Sequence, residues 1–198
     1  MGLLDLLSFA KYEVQGSDAR ALLERVCANR VPGRDGAVIL TQMLTALGGI
    51  ESEATVTRLS EDHYYLLSGA VAEIHDLDWL IQHINPGEAV SVTNVTDDYG
   101  VLVLTGPQSR DVLASLTDAG LENQDGFTWM TAREITVAGV PVRALRVSYV
   151  GELGWELHHP MSEIKTLYDG LLDAGRDHGI RPFGTYASNA LRMETAYK

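Results

Sequence analysis

Along the chain, short runs with apolar residues at every second position alternate with stretches whose apolar residues recur every third or fourth position, and glycines mark most of the joins. Residues 11–14 read as a short strand, Gly16 as a turn, and Ser17-Asp18 as the N-cap of a helix over 19–29 that sets Leu22, Leu23 and Val26 on one face. Residues 37–44 form a largely buried strand, Ala46-Leu47-Gly48-Gly49 a hairpin turn, and 53–59 and 63–67 the next two strands. A helix over 71–84 then presents Ile74, Leu77, Trp79, Leu80 and Ile81, and Asn85-Pro86-Gly87 closes it. The same order starts again with a strand at 101–104, the turn Gly106-Pro107 and a helix over 108–116. Strands at 134–137 and 141–149, a glutamate-bearing hairpin, and helices over 162–175 and 185–197 complete it.

Setting the two halves ninety positions apart puts Gly16 over Gly106, Arg20 over Arg110, Leu23 over Leu113, Asp35-Gly36 over Asp125-Gly126 and Gly49 over Gly139. Identities are few, but the order of elements and their turn glycines coincide, which implies two copies of one α+β unit related by a pseudo-twofold, residues 1–88 and 89–198. In that register Trp155 lies over Tyr65 and Glu156 over Leu66, and a site between the halves would receive both strands.

Composition narrows the classes. With 198 residues, 45% of them hydrophobic and 21% charged, the chain can bury a substantial core as one large or two small domains. A formal net charge of −12 argues against nucleic acid and against an anionic membrane surface as partners. No apolar run approaches the length of a membrane span, and the N-terminus lacks the basic start of a signal peptide, so the expected location is the cytoplasm. The single cysteine, Cys27, sits on an apolar helical face and reads as a structural thiol. No dinucleotide-binding glycine motif, P-loop or nucleophile elbow is present, so nothing here would bind FAD or NAD in the Rossmann manner.

The most informative stretch is Ser-Tyr-Val-Gly-Glu-Leu-Gly-Trp-Glu-Leu-His-His-Pro, residues 148–160. It reads as a strand ending at Tyr149, a tight turn through Gly151 and Gly154, and a strand leaving through Trp155-Glu156-Leu157. Alternation points Glu156 to the opposite face from its two large neighbours. A carboxylate held on a strand can accept two parallel bonds from a heterocycle presenting a ring N–H beside an exocyclic amine, as a pterin does. Glu152, at the tip, is expected to satisfy backbone donors of the turn. His158-His159 is a poor metal pair, because adjacent strand residues point to opposite faces. No metal is expected.

Tyr149, Gly151, Glu152, Gly154 and Glu156, in the pattern Tyr-x-Gly-Glu-x-Gly-x-Glu, resemble the signature of the folate-binding aminomethyltransferase family, which includes the glycine cleavage T-protein and the folate domains of dimethylglycine and sarcosine dehydrogenases. Residues 2–16, 48–57 and 184–198 resemble the family in the same order, and Thr185 to Glu194 is most similar to the dehydrogenase branch. The resemblance implies an α+β fold of two pseudo-repeated strand-helix-sheet units of the aminomethyltransferase folate-binding domain type. It implies tetrahydrofolate as cofactor and a small-molecule amine donor, with a one-carbon unit moved from an N-methylglycine derivative or an aminomethyl donor onto tetrahydrofolate. In the dehydrogenase branch FAD sits on a separate domain, so an FAD-dependent dehydrogenase chain is the implied partner. The family continues into a C-terminal β-barrel domain, and the sequence is expected to lack it.

Carried over by motif, Glu53 takes the catalytic position, where the family holds an acid beside the reactive folate nitrogens. Such transfer passes through a cationic iminium that a carboxylate stabilises and orients, and the same group can take a proton. The competing reading is a solvated turn glutamate. Glu156 is the pterin-recognition residue, and the competing reading is a surface strand position. Tyr65 and Trp155 offer rings that could stack on the cofactor or fill the core. Tyr149 and Arg192 complete the cofactor set as members of the same motifs. Two departures argue for reduced function: Leu40 stands where the family's site carries a tyrosine, and Thr195 replaces the usual lysine. The alternatives are therefore a non-catalytic folate-binding or docking module of a flavin-dependent dehydrogenase, or a folate-dependent demethylase of another small methyl donor.

Overall fold

Each apolar alternation read above becomes a strand that gives one face to a helix-covered core. The computed structural model describes residues 1–122 and 127–197. The pairing of Asp35-Gly36 with Asp125-Gly126 lies outside the described residues, as does Lys198. The elements are β1 (Gly2–Asp5), β2 (Ala10–Gln15), α1 (Ala19–Val26), β3 (Val38–Leu44), β4 (Ile50–Ser60), β5 (His63–Ser68), α2 (Glu73–Gln82) and β6 (Ser91–Asn94), followed by β7 (Tyr99–Thr105), α3 (Ser109–Ala114), β8 (Thr131–Val137), β9 (Val140–Arg146), β10 (Gly154–Pro160), α4 (Ile164–Ala174), β11 (Arg181–Pro182) and α5 (Thr185–Glu194). The chain divides into two units, Ser8–Asp97 and Met1–Leu7 with Asp98–Lys198.

In the unit Ser8–Asp97 the sheet order is β3-β4-β5-β2-β6. Tyr12, Val14, Val56, Tyr64 and Leu66 face Leu22 and Leu23 of α1 and Leu80 of α2 in one apolar cluster. The alternate residues, among them Lys11, Glu13, Glu53, Thr57 and Tyr65, occupy the other face. A β-bulge interrupts the β3/β4 ladder: Leu44 pairs with Ile50 and Met43 with Ser52, which leaves Glu51 as the extra residue.

In the other unit the order is β8-β9-β10-β7-β1-β11. Leu102, Leu104, Trp155 and Leu157 pack on Val112 and Leu113 of α3 and Leu167 and Leu171 of α4. The run β8-β9-β10-β7 repeats β3-β4-β5-β2 in order and pairing sense, so the repeat is present in the fold. The outer strands are exchanged in a reciprocal way. β1 precedes β2 in the chain but pairs with β7, while β6 precedes β7 but pairs with β2.

Gly16 and Gly106 occupy equivalent turns with φ of 126° and 119°. A Cβ on Gly16 would lie 2.1 Å from the Ala89 carbonyl oxygen, and one on Gly106 3.2 Å from Met1 Cα, so each turn admits the backbone that leads into the added strand.

Four expectations are corrected. The stretch through Tyr149 is not a tight hairpin: β9 ends at Arg146, β10 begins at Gly154, and seven residues connect them. Pairing shows that the ninety-residue register slips by one in β5 and β10, because Tyr65 opposes Glu13 and Glu156 opposes Val103. Glu156 is therefore the counterpart of Tyr65, and Trp155 that of Tyr64. Asp18 makes no side-chain cap on α1; its Oδ2 accepts from the Ala89 amide at 2.7 Å instead. Of the apolar residues expected on one face of α2, Leu80 is buried and Leu77 and Trp79 partly so, but Ile74 and Ile81 are exposed at 66% and 47%.

Candidate functional site

The alternation of β10 decides what each residue of the glutamate motif can do. Trp155 and Leu157 point into the helix-side core, both fully buried. The Trp155 ring meets Phe127 edge-on at 6.2 Å, with the Arg146 guanidinium 5.9 Å from its centroid. Its indole Nε1 is buried without a hydrogen-bond partner among the described residues. Glu156 points the other way, with Val103 and Leu145 as cross-strand neighbours. Its side chain keeps 12% of its exposure, and its single polar contact among the described residues is Oε2 to Nε2 of the buried His158, at 3.4 Å. That distance is long for a charge-assisted bond. A mostly buried carboxylate with one such contact retains unused acceptor capacity.

The loop before β10 is held from outside the motif. The Leu153 carbonyl accepts from the Gly106 amide at 2.8 Å, from Thr105 Oγ1 at 3.2 Å and from Ser109 Oγ at 3.0 Å. Thr195 Oγ1, just past α5, lies within hydrogen-bond distance of the Val150 carbonyl of this loop at 3.1 Å and of the Arg192 carbonyl at 3.0 Å, and its single proton can serve either. Glu152 is exposed and accepts no hydrogen bond among the described residues. Its expected role of satisfying the turn falls to Leu153, Thr105 and Ser109.

Tyr149 and Arg192 are brought together. The Tyr149 hydroxyl donates to Asn189 Oδ1 at 2.9 Å, Arg192 Nε donates to the same oxygen at 3.2 Å, and the guanidinium lies 5.5 Å from the Tyr149 ring centroid. Arg192 Nη1 also donates to the Tyr197 carbonyl at 3.1 Å. Asn189 was missed in the sequence, although its place one turn before Arg192 on α5 was the available signal.

In the other unit Glu53 stands on β4 as an exposed residue, and Gln42 Nε2 of β3 donates to its Oε2 at 3.0 Å. Tyr65 lies on the same sheet face but four residues further along, opposite Thr57, and is buried at 1% exposure. Tyr65 and Trp155, expected together as stacking rings, therefore take opposite faces of their respective sheets, and neither presents an open ring. Leu40 is half exposed on the face of Glu53. Burial pushes the Cys27 thiol up to about 11, with a hydrogen bond to Thr41 opposing the shift, so it is a poor nucleophile at neutral pH. No group of three or more metal-ligating side chains occurs among the described residues.

The sequence matches the GCVT N-terminal domain over residues 1–198. It is 39% identical to the mitochondrial dimethylglycine dehydrogenase of Rattus norvegicus over 199 residues, covering 100% of this chain and 23% of that protein. It is 34% identical to an aminomethyltransferase of Anoxybacillus flavithermus, covering 98% of this chain and 52% of that one. The fold is similar to the crystal structure of the glycine cleavage system aminomethyltransferase T from Bartonella henselae, with a TM-score of 0.83 at 26% identity over 98% of this chain and 50% of that one. The chain thus spans about a quarter of the dehydrogenase and half of the aminomethyltransferases.

Proposed function

The chain belongs to the GCVT N-terminal domain family, and from that membership we propose a tetrahydrofolate-binding, aminomethyltransferase-like domain in which Glu156 recognises the pterin edge and Glu53 serves the one-carbon chemistry. The observation that carries this reading is the Glu156 carboxylate, mostly buried on a rigid strand with one long polar contact. A ring N–H beside an exocyclic amine fits its unused acceptor positions and would supply the partners such a group requires. Tetrahydrofolate, when bound, supplies the amine nitrogens that accept the one-carbon unit.

Glu53 has one oxygen held by Gln42, which leaves the other to face a developing cation or to take a proton. Arg192, stacked against Tyr149 and fixed by Asn189, offers a planar cation suited to a ligand carboxylate. Tyr65 and Trp155 act from within the protein, each by fixing its own strand in its own sheet. The donor is an N-methylglycine derivative or an aminomethyl compound, and similarity to a dimethylglycine dehydrogenase along the whole chain supports the former. Oxidation of such a donor falls to a flavin domain outside this chain. The second reading is a folate-holding module without transfer, favoured by half-exposed Leu40 on the face of Glu53.

Two ligands test the proposal. 5-Formyltetrahydrofolate should bind, whereas p-aminobenzoylglutamate, which lacks the pterin, should bind at least about tenfold more weakly. Equal affinities would remove the pterin from the recognition and with it the role of Glu156. Transfer activity abolished by Glu53→Gln, with binding retained, selects the catalytic reading over the holding module.

A further inference from the structure

The start of β4, which leads to Glu53, is fastened to α2 by side chains that the folate reading does not use. Ser52 Oγ donates to Asp76 Oδ2 at 2.7 Å. His75 lies between two carboxylates, with Nε2 2.7 Å from Glu51 Oε1 and Nδ1 3.0 Å from Asp76 Oδ1. The three ties meet at the bulge, where Glu51 has dropped out of the β3/β4 ladder. Backbone pairing is therefore interrupted two residues before Glu53, and side chains take over its work.

Asp76 is fully buried, and a buried carboxylate requires a cation or several donors. Ser52 supplies one donor and His75 the only cationic group that reaches it among the described residues. Only the protonated imidazole carries an N–H on both nitrogens. A neutral ring donates to one carboxylate and turns a lone pair toward the other. Asp76 is fully buried whereas Glu51 is partly open to solvent, so the neutral ring keeps its N–H on Asp76 and the contact released on deprotonation is the one to Glu51.

We infer that His75 is a positioning residue for Glu53: by bridging Glu51 to Asp76 it clamps the bulged start of β4 and sets how Glu53 leaves the strand. Glu51 from β4 and Asp76 from α2 are the titratable groups against the ring among the described residues. The Trp79 indole lies near-parallel to it, with ring centroids 6.3 Å apart. Glu73 is engaged elsewhere, its Oε1 by Asn94 Nδ2 of β6 at 2.7 Å and its carbonyl by the Tyr12 hydroxyl of β2 at 2.7 Å. The hydrogen bond to Asp76, then that to Glu51, hold the His75 pKa above its ordinary 6.5. A group raised in this way is fully clamped below 6.5 and lets go as pH rises through its folded value.

The functional consequence rests on the assignment of Glu53 to the folate face, and the experiment keeps the two apart. Amide hydrogen exchange at residues 52–54 is measured on the full chain across the titration of the His75 ring, followed by NMR, for wild type and His75→Gln. Protection in the wild type should fall by about tenfold or more as the ring deprotonates, and His75→Gln should show the low value at every pH. Protection that ignores the titration, or a variant as protected as wild type, overturns the clamp. If the variant does not fold, the wild-type series decides alone. Binding of 5-formyltetrahydrofolate is read in parallel for wild type, His75→Gln and Glu53→Gln. Wild-type affinity that follows the same step, absent from both variants, supports the link to Glu53. An affinity step that persists in Glu53→Gln, or a wild-type affinity that stays constant while protection falls, refutes the Glu53 assignment while the clamp stands.

Discussion

Replacing Glu156 by glutamine separates a carboxylate kept for a ligand from one that holds the fold. The side chain keeps 12% of its exposure and makes one polar contact of 3.4 Å, to His158. An unsatisfied buried polar group costs about 1–3 kcal/mol, and more when it is charged. Glutamine has nearly the same shape and removes the charge, while its amide still needs partners. The net gain expected in the absence of folate is therefore about 1 kcal/mol, or a Tm higher by roughly 2–4 °C for a chain of this size. Urea unfolding of both proteins reads this as a higher midpoint at unchanged slope. Loss of 1 kcal/mol or more would mean that the Glu156–His158 contact is a buried ion pair belonging to the fold, since breaking such a pair costs about 3–5 kcal/mol. The case for an acceptor held for a ligand would then collapse. Glu134→Gln, at an exposed residue paired with Arg143 at 2.8 Å, serves as the control and should change stability by less than about 1 kcal/mol.

Gly16→Ala should destabilise by at least about 2 kcal/mol, since it combines a φ of 126° with a Cβ 2.1 Å from the Ala89 oxygen; Gly106→Ala should cost less, and chemical denaturation ranks them. The Arg25 hydrogen bonds and the Asn85 amide lower the Glu88 pKa below 4.5, so the pair contributes stability above that value and loses it as pH falls through the lowered one. The difference in urea midpoint between wild type and Arg25→Gln should accordingly shrink on acidification, and a constant difference would show that Arg25 acts by other means. A thiol raised from 9.0 to about 11 holds about a hundredfold less thiolate at neutral pH, so native Cys27 should react with an aromatic disulfide far more slowly than the unfolded chain. Equal rates would place the thiol in solvent.

Local pattern made much of the fold legible, and it failed where distant contacts decide. Gly16 and Gly106 were readable as equivalent turns because a positive φ beside an approaching backbone demands glycine. The exchange of β1 and β6 between sheets was not readable, because short edge strands carry no signal of which edge they join. Ser148-Tyr149 has the composition of a strand, yet β9 ends at Arg146, where the Val147 amide turns back onto the Leu145 carbonyl at 3.0 Å instead of continuing the ladder. The register slip between the repeats had the largest consequence, because moving one residue along a strand exchanges its faces. It put Trp155 opposite Tyr65 on paper, whereas pairing makes Glu156 the counterpart of Tyr65. The orientation of Glu156 itself was legible from its flanking Trp155 and Leu157. Its thin set of partners was not, since it depends on Val103 and Leu145 across the sheet.

A calorimetric titration of 5-formyltetrahydrofolate into the wild-type chain and into Glu156→Gln bears most directly on the central claim. Micromolar binding by the wild type, weakened about tenfold or more by the substitution, is the predicted result and corresponds to about 1.4 kcal/mol for one charge-assisted pair. Equal binding by the two proteins would contradict it.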